Sequence, residues 1–440
     1  MSVLKNVVYW QETEPAEPGP PLRESLECDV CIVGGGFAGL WTAYFLKLAE
    51  PALDIHVLEA EYSGHGASGR ADGFVTPTLG KDVESLARNF GERRAAEASR
   101  AVGRSVLGIG RFLRRHRVDA EYEPTGYLLA ATTPAQLRRL ERDRELATRL
   151  SGAAPGLLTA EEARERVGSP ALLGALASVG ALVNPFKLAR GLARVVRELG
   201  VTVHDRTPAL RVVPGARPRV RTPGGLVTAD HVVLTTNVHQ SAFRPFRNKV
   251  IPVWSYALVS DPLTDGQLAR VAWPGREGLV EARTFLTCAR FTADNRLMWA
   301  GGPALYFPGR DLRHRRMAEP RAYRALLTEF QRFFPMWRDV AFRYAYGGPV
   351  DITRDYTPHF GVLPGRIWYG YGFCGNGISA THLGGQVLRD LLLGKDSEFT
   401  RLLCVDGLAG QGAPSFPPEP LLTVGVRGAS RVLEWREGRS

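Results

Sequence analysis

The chain has 440 residues, room for two domains of ordinary size, each with its own core. Hydrophobic residues make up 44%, and no stretch approaches the ~20 apolar residues that a membrane span needs. The formal net charge is +11. Only Lys5, Lys47, Lys81, Lys187, Lys249 and Lys395 are lysines, and the arginines are spread beside glutamates, as in LRRLERDREL. That pattern reads as solvated helix faces rather than a nucleic-acid groove, so no nucleic-acid partner is expected.

The opening residues, MSVLKNVVYWQETEPAEPGP, lack the basic start and apolar run of a signal peptide. They read as an arm laid over a domain, and the expected location is the cytoplasm. Asp29 to Val33 (DVCIV) reads as a short buried strand. The turn GGGFAG follows, then the apolar-periodic helix LWTAYFLKLAE and a second strand, DIHVLEA, ending at Glu59. This order makes a parallel pair with a right-handed crossover. Glu84 to Leu150 is helical, charged and amphipathic, interrupted by the strand-like GYLLAAT. Thr159 and Glu162 form a capping-box start. NPFKLARGLARVVREL, from Asn184, is a helix with Pro185 in its first turn.

HVVLTTN reads as a strand returning to the first sheet. IPVWSYAL and the run from Thr284 to Gly302 read as strands of a different sheet, covered by a helix around Tyr323 to Phe334. The chain then comes back to the first domain with RIWYGYGFCGNG and the helix ISATHLGGQVLRDLLLG. The Gly/Pro-rich tail beyond Cys404 reads as a partly ordered wrap.

Three motifs carry chemistry. In Gly34-x-Gly36-x-x-Gly39 the glycines allow a tight turn, close approach to a pyrophosphate and close helix–strand packing. The helix start offers free N–H groups and its dipole to phosphate. Glu59, twenty residues after Gly39, suits a ribose diol without a 2′-phosphate, hence FAD or NAD rather than NADP. The second motif is GHGASGRADGF, from Gly64 to Phe74, whose small residues around Arg70 let the backbone pass close to something large and flat. The third is GYGFCGNGIS, from Gly370 to Ser379, a strand, glycine turn and helix start able to stabilise negative charge on a reduced flavin. Cys28, Cys31, Cys288, Cys374 and Cys404 form no disulfide framework, and the CxxC of Cys28 and Cys31 reads as core thiols. No metal site is expected.

Taken in order with VVYWQET, LVNPFKLARGLAR, ARFTADNRLMWAGG and YGGPVDITRDYTPHFGVLPG, these motifs resemble the FAD-dependent amine and amino-acid oxidoreductases. That is the superfamily of D-amino-acid oxidase, glycine oxidase and sarcosine oxidase. The nearest likeness is to its gamma-glutamylputrescine oxidoreductase branch. The resemblance implies an α/β fold: a Rossmann-type, glutathione-reductase-like FAD-binding domain with an inserted α+β substrate domain on a mixed or antiparallel sheet. It divides the chain into 26–83, 180–248 and 350–404 for FAD, 84–179 and 249–349 for substrate, an arm 1–25 and a tail 405–440.

Residue by residue, the resemblance implies that Gly34, Gly36, Phe37, Ala38, Glu59 and Ala60 hold the ADP half. Ala67, Ser68, Gly69 and Arg70 would follow the ribityl chain and flavin edge. Leu210, Thr235 and Thr236 would flank the adenine side, and Gly372, Gly375, Asn376, Gly377 and Ile378 the pyrimidine end. Catalytic or substrate contacts are expected from Tyr256, Arg290, Tyr346 and His382, with Arg283 also a candidate. The implied reaction is hydride transfer from the carbon bearing a neutral primary or secondary amine to flavin N5. The imine would be hydrolysed or passed on, and O2 is the expected acceptor. A non-oxidase amine dehydrogenase and a tRNA-modifying FAD oxidoreductase of the same fold are the alternatives.

The sequence departs from the family pattern in two places. The segment often written GASGRNGG here carries Ala71 and Asp72. An acid there either repels a reduced flavin anion or binds a cationic substrate. The GxxGHG turn here carries Cys374 and Asn376. The stretch YGGPVDITRD lacks the cysteine that bonds FAD covalently in sarcosine oxidases, so non-covalent FAD is expected.

Overall fold

The computed structural model describes residues 4–151, 155–283, 286–406 and 412–438. β1 (Leu26–Val33), α1 (Phe37–Ala49) and β2 (Ile55–Leu58) begin the first sheet. β1 pairs in parallel with β2 on one side and with Leu226–Leu234 on the other. Thr202–His204 extends the sheet beyond β2, and Ile367–Tyr371 and His359–Leu363 extend it beyond Leu226–Leu234. The register sets Val33 beside both Leu58 and Leu234, so the carboxyl ends of the central strands share one edge. That edge is where an open parallel sheet places its ligand.

Helices cover one face. α1 packs with Gly377–Leu392, Glu92–Arg115 and Pro185–Glu198 through a core that includes Trp41, Phe112, Leu192 and Leu388. Asn184 caps the last of these helices, its Oδ1 accepting from Phe186 and Lys187 N–H at 3.2 Å each. The helix Glu92–Arg115 falls in the span assigned by sequence to the substrate domain, yet Val102, Ile109 and Phe112 bury themselves against the α1 side. Its apolar stripe is wide enough to pack on helices rather than on the second sheet. On the opposite face, Cys28 and Cys31 are buried free thiols among Val227, Phe246 and Tyr369.

Among the described residues the second sheet has eight strands. Their order is Phe342–Ile352, Ile251–Pro262, Arg296–Leu305, Thr287–Phe291, Gly278–Glu281, Tyr127–Ala131, Gly174–Ser178 and Gly156–Leu158. Its pairs are antiparallel except Gly278–Glu281 with Tyr127–Ala131. The helix Pro320–Phe333 covers it and buries Leu326 and Phe330 against Trp299. Thr284, where sequence begins this run of strands, lies outside the described residues. The tail differs from expectation: after the Pro-rich stretch it forms a helix, Leu421–Gly438, and Leu422 packs on Ile251 and Tyr306.

A buried ion cluster ties the edge of the first sheet to the tail. His359 lies between Asp355 (3.0 Å) and Asp406 (2.8 Å), and Tyr369 donates to Asp406 at 2.8 Å. Burial pushes the imidazole pKa down, but the two carboxylates outweigh it and hold it at about 9. A folded-state value raised above the ordinary 6.5 gives stability that is full below pH 6.5 and lost as pH rises through about 9. The contribution is on the order of 3 kcal/mol. His359→Gln is therefore expected to lower stability at pH 7 and to flatten the alkaline loss, as read by denaturant unfolding at pH 7 and 9.5. An unchanged alkaline slope in the variant would contradict this assignment.

Candidate cofactor and substrate cavity

A cavity of about 1680 Å³ begins at the carboxyl edge of the first sheet and runs to the face of the second. At the first end, Gly34 takes φ +112° and donates its N–H to Leu58 O at 2.9 Å. Only a residue without Cβ adopts that conformation without strain. Gly39 sits in the first turn of α1 where a Cβ would meet Gly34 O at 2.0 Å. Helix and strand are thus as close as backbone allows, and the start of α1 points at the cavity. Its cap residue, Gly36, supplies no side-chain cap. Glu59 Oε2 accepts from Gly35 N–H at 2.7 Å and Oε1 from Glu61 N–H at 3.1 Å. Burial pushes the Glu59 pKa up, and these N–H groups oppose it.

Gly34, Gly36, Phe37, Ala38, Glu59 and Ala60 all line this end, as do Thr235 and Thr236. Leu210 does not. It is 61% exposed, its N–H is bound to Arg221 O, and Pro208 and Ala209 take the wall position instead. The chain turns into a short antiparallel strand at Arg211, which carries Leu210 away from the cavity.

Further along, Ala67, Ser68 and Arg70 line the wall, while Gly69 is buried behind it. Ser68 Oγ accepts from Phe37 N–H at 2.8 Å, so this segment closes over the start of α1. Arg70 Nε donates to His65 O at 3.0 Å, and burial pulls its pKa down. His65 is pushed down to about 4, by burial first and then by Arg70 and His314.

The helix Gly377–Leu392 starts at the cavity with no side-chain cap from Asn376. Gly375, Asn376, Gly377 and Ile378 line the wall, and Gly372 lies behind it. Asp351 organises the turn: its Oδ2 accepts from Gly372 N–H at 2.6 Å and Phe373 N–H at 3.1 Å. Asn376 Nδ2 donates to Gly80 O at 2.6 Å.

The second sheet supplies Tyr256 and Tyr346. Tyr256 donates its hydroxyl to Arg316 O at 3.1 Å, whereas the buried Tyr346 hydroxyl has no hydrogen-bond partner among the described residues. Arg283 lines the cavity and is paired with Glu281 (3.4 Å) and Glu329 (3.6 Å).

The other two side chains expected to act on substrate lie outside the wall. Arg290 is fully buried and donates to Val183 O (2.6 Å), Gly73 O (3.3 Å) and Phe291 O (3.1 Å). It fastens loops of one region to the sheet of the other. His382 is a core residue, its ring 4.7 Å from that of Trp41 and 5.1 Å from that of Phe45. Burial pushes it down to about 3, which keeps the imidazole neutral.

Sequence reasoning did not assign Cys288, His239 or Met317 to the wall, and all three line it. Asp72, noted only as a departure, lines it too and accepts from the Cys288 thiol at 3.5 Å. Burial pushes the Asp72 carboxyl up to about 6, against the Cys288 hydrogen bond and the Arg290 charge. Among the described residues no cluster of His, Cys, Asp or Glu is arranged to hold a metal. Nor is any described helix long and apolar enough to cross a membrane.

A glycine cradle, an acid at the end of β2 and two uncapped helix starts on one cavity define a dinucleotide-cofactor protein with a second region facing the cofactor. The family model described as DAO, FAD dependent oxidoreductase, matches residues 29–391, and the chain belongs to that family. It is 31% identical over 389 residues to the gamma-glutamylputrescine oxidoreductase of Escherichia coli K12, covering 87% of each chain. Among solved structures it resembles glycine oxidase from Geobacillus kaustophilus, with TM-score 0.70 and 21% identity over 84% of this chain and 96% of that one. L-proline dehydrogenase from P. horikoshii gives TM-score 0.71 and 18% identity over 88% and 96%.

Proposed function

We propose that the chain oxidises the C–N bond of a primary or secondary amine or amino acid with non-covalently held FAD. The observation that carries this reading is the continuity of one cavity from the cradle at Gly34 to Tyr346 on the second sheet. Gly34, Gly36, Phe37, Ala38, Glu59 and Ala60 would hold the ADP half. Ser68 and Arg70 would follow the flavin edge, and Gly375 to Ile378 would meet the pyrimidine end. When bound, FAD supplies the two-electron acceptor for the carbon bearing the amine.

The protein's part is to orient that carbon, exclude water and favour the unprotonated amine. Tyr256, Tyr346 and Asp72 wall the substrate end; Tyr346 has hydrogen-bonding capacity to spare. Non-covalent binding is supported by the cavity thiols: burial pushes Cys374 up to about 12 and Cys288 well above its ordinary value. Un-ionised thiols are poor nucleophiles toward a cofactor ring.

Steady-state turnover tests the proposal. With an effective amine, aldehyde or keto product is expected in equal amount to the acceptor reduced. Parallel assays with O2 and with an artificial dye separate an oxidase, the reading favoured here, from a dehydrogenase. Turnover of alcohols but not of amines would overturn the proposal.

A further inference from the structure

Asp72 is held by the loop between the turn Ala67–Gly69 and the short strand Phe74–Val75. Its carboxylate faces the cavity, and among the described residues its one hydrogen-bonding partner is the Cys288 thiol. Arg290 is nearby and its charge acts on Asp72, but it makes no ion pair with it among the described residues: Nε and Nη1 donate to the carbonyls of Phe291, Gly73 and Val183, and Nη2 has no hydrogen-bond partner there. Arg70 is turned to His65 O and to the Met317 sulfur at 3.4 Å. Tyr346 presents an unpartnered hydroxyl on the same cavity, close enough to Asp72 for the two to interact electrostatically.

A carboxylate taken out of water without a hydrogen-bonded cation is costly, and a ligand that brings one recovers part of that cost. An amine held against Asp72 would do so. A carboxylate on the reacting carbon would meet a like charge. Two of the cavity arginines are ion-paired: Arg139 with Asp82 at 3.2 Å, and Arg283 with Glu281 and Glu329.

Building on the amine-oxidation reading, we propose that Asp72 is the ammonium anchor of the substrate pocket: it receives the amine as the cation and then takes one proton onto its carboxylate, which leaves the neutral amine for oxidation. The Tyr346 phenol oxygen is the second acceptor. The substrate class is then a cationic amine with no carboxylate on the carbon that reacts.

The test uses two isosteric ligands that lack a hydrogen on the substituted carbon and so cannot be oxidised there: tert-butylammonium and pivalate. Each is titrated into the FAD-loaded protein and followed by the change in flavin absorbance. The wild type is expected to bind the cation at least about tenfold more tightly than the anion. Asp72→Asn is expected to lose about tenfold or more for the cation and little for the anion, and Asp72→Glu to regain part of the preference. Tyr346→Phe is expected to weaken the cation by a few-fold.

Tighter binding of pivalate by the wild type, or an Asp72→Asn variant with unchanged cation affinity, would overturn the inference. Should Asp72→Asn fail to hold FAD, the wild-type preference and Tyr346→Phe decide it. Amine-driven flavin reduction without a cation preference would sink the anchor and leave the proposed function standing. A cation preference with no amine oxidation would do the reverse.

Discussion

Gly39→Ala is expected to purify without cofactor. Its Cβ would lie 2.0 Å from Gly34 O, 2.9 Å from Thr235 Oγ1 and 3.1 Å from Ile32 Cγ2. The nearest of these is backbone, in the turn that forms the phosphate cradle, so no side-chain rotation relieves the clash. α1 must move off β1, and its N–H groups then leave the position where the turn aims them. Helix propensity alone would favour alanine by about 1 kcal/mol. Overpacking against backbone costs about 1–3 kcal/mol, and the absence of any give puts this site at the upper end. The net expectation is a loss of about 2 kcal/mol in stability and a colourless protein that FAD does not restore. Gly103→Ala is the matched control: it sits in a helix with nothing within 4 Å of the added methyl. That variant is expected to keep its flavin and gain about 0.5–1 kcal/mol. Comparing flavin content of the two by absorbance checks the argument. Normal flavin content in Gly39→Ala would refute the close-packing account.

Asp351→Ala is expected to disable the other end of the site. Asp351 is 1% exposed, and its carboxylate is what holds the Gly372 and Phe373 N–H groups. Alanine leaves two buried donors unpaired at about 1–3 kcal/mol each, so a total near 3 kcal/mol is expected. The turn before Gly377 then loses its fixed conformation, and FAD affinity falls with it. The carboxylate carries its own cost: burial pushes it up to about 6 although the backbone N–H groups pull it down. A folded value raised above the ordinary 3.8 means this group's contribution is full below pH 3.8 and declines as pH rises through about 6. Asp351→Asn keeps an acceptor oxygen and removes the charge. It is expected to bind FAD far better than the alanine variant and to lose less stability between pH 4 and 6. Equal FAD affinity in the alanine variant and the wild type, by titration of the apoprotein, would show that the turn does not depend on Asp351.

The cradle was legible in sequence because it is local. A strand, three glycines, an apolar-periodic helix and Glu59 lie within 34 residues, from Leu26 to Glu59, and each signal depends only on near neighbours. The second sheet was legible in outline for a similar reason, since Ile251–Pro262 and Arg296–Leu305 are long and largely apolar. The substrate end was legible only in part: Tyr256 and Tyr346, expected from sequence, line the cavity, but the meeting of Tyr346 with its neighbours there was not. Asp72, Cys288 and Tyr346 meet across more than two hundred residues of chain, and no periodicity encodes such a meeting.

Arg290 resembled a pocket residue because an arginine can clamp a carboxylate bidentately. Its strand is buried on both faces, and carbonyls from distant loops take its Nη1. His382 lies on a helix that is buried nearly all round, where a histidine packs rather than reacts. The tail was misread because its prolines stop at Pro420, and the helix that follows has none.

The most direct measurement is the visible spectrum of the purified protein, first alone, then after acid precipitation, then under anaerobic addition of primary and secondary amines. Flavin bands near ~450 nm that pass into the acid supernatant, and that bleach with an amine in the native protein, are the predicted result. A protein that stays colourless after reconstitution with FAD, or a bound flavin that no amine or amino acid reduces, would contradict it.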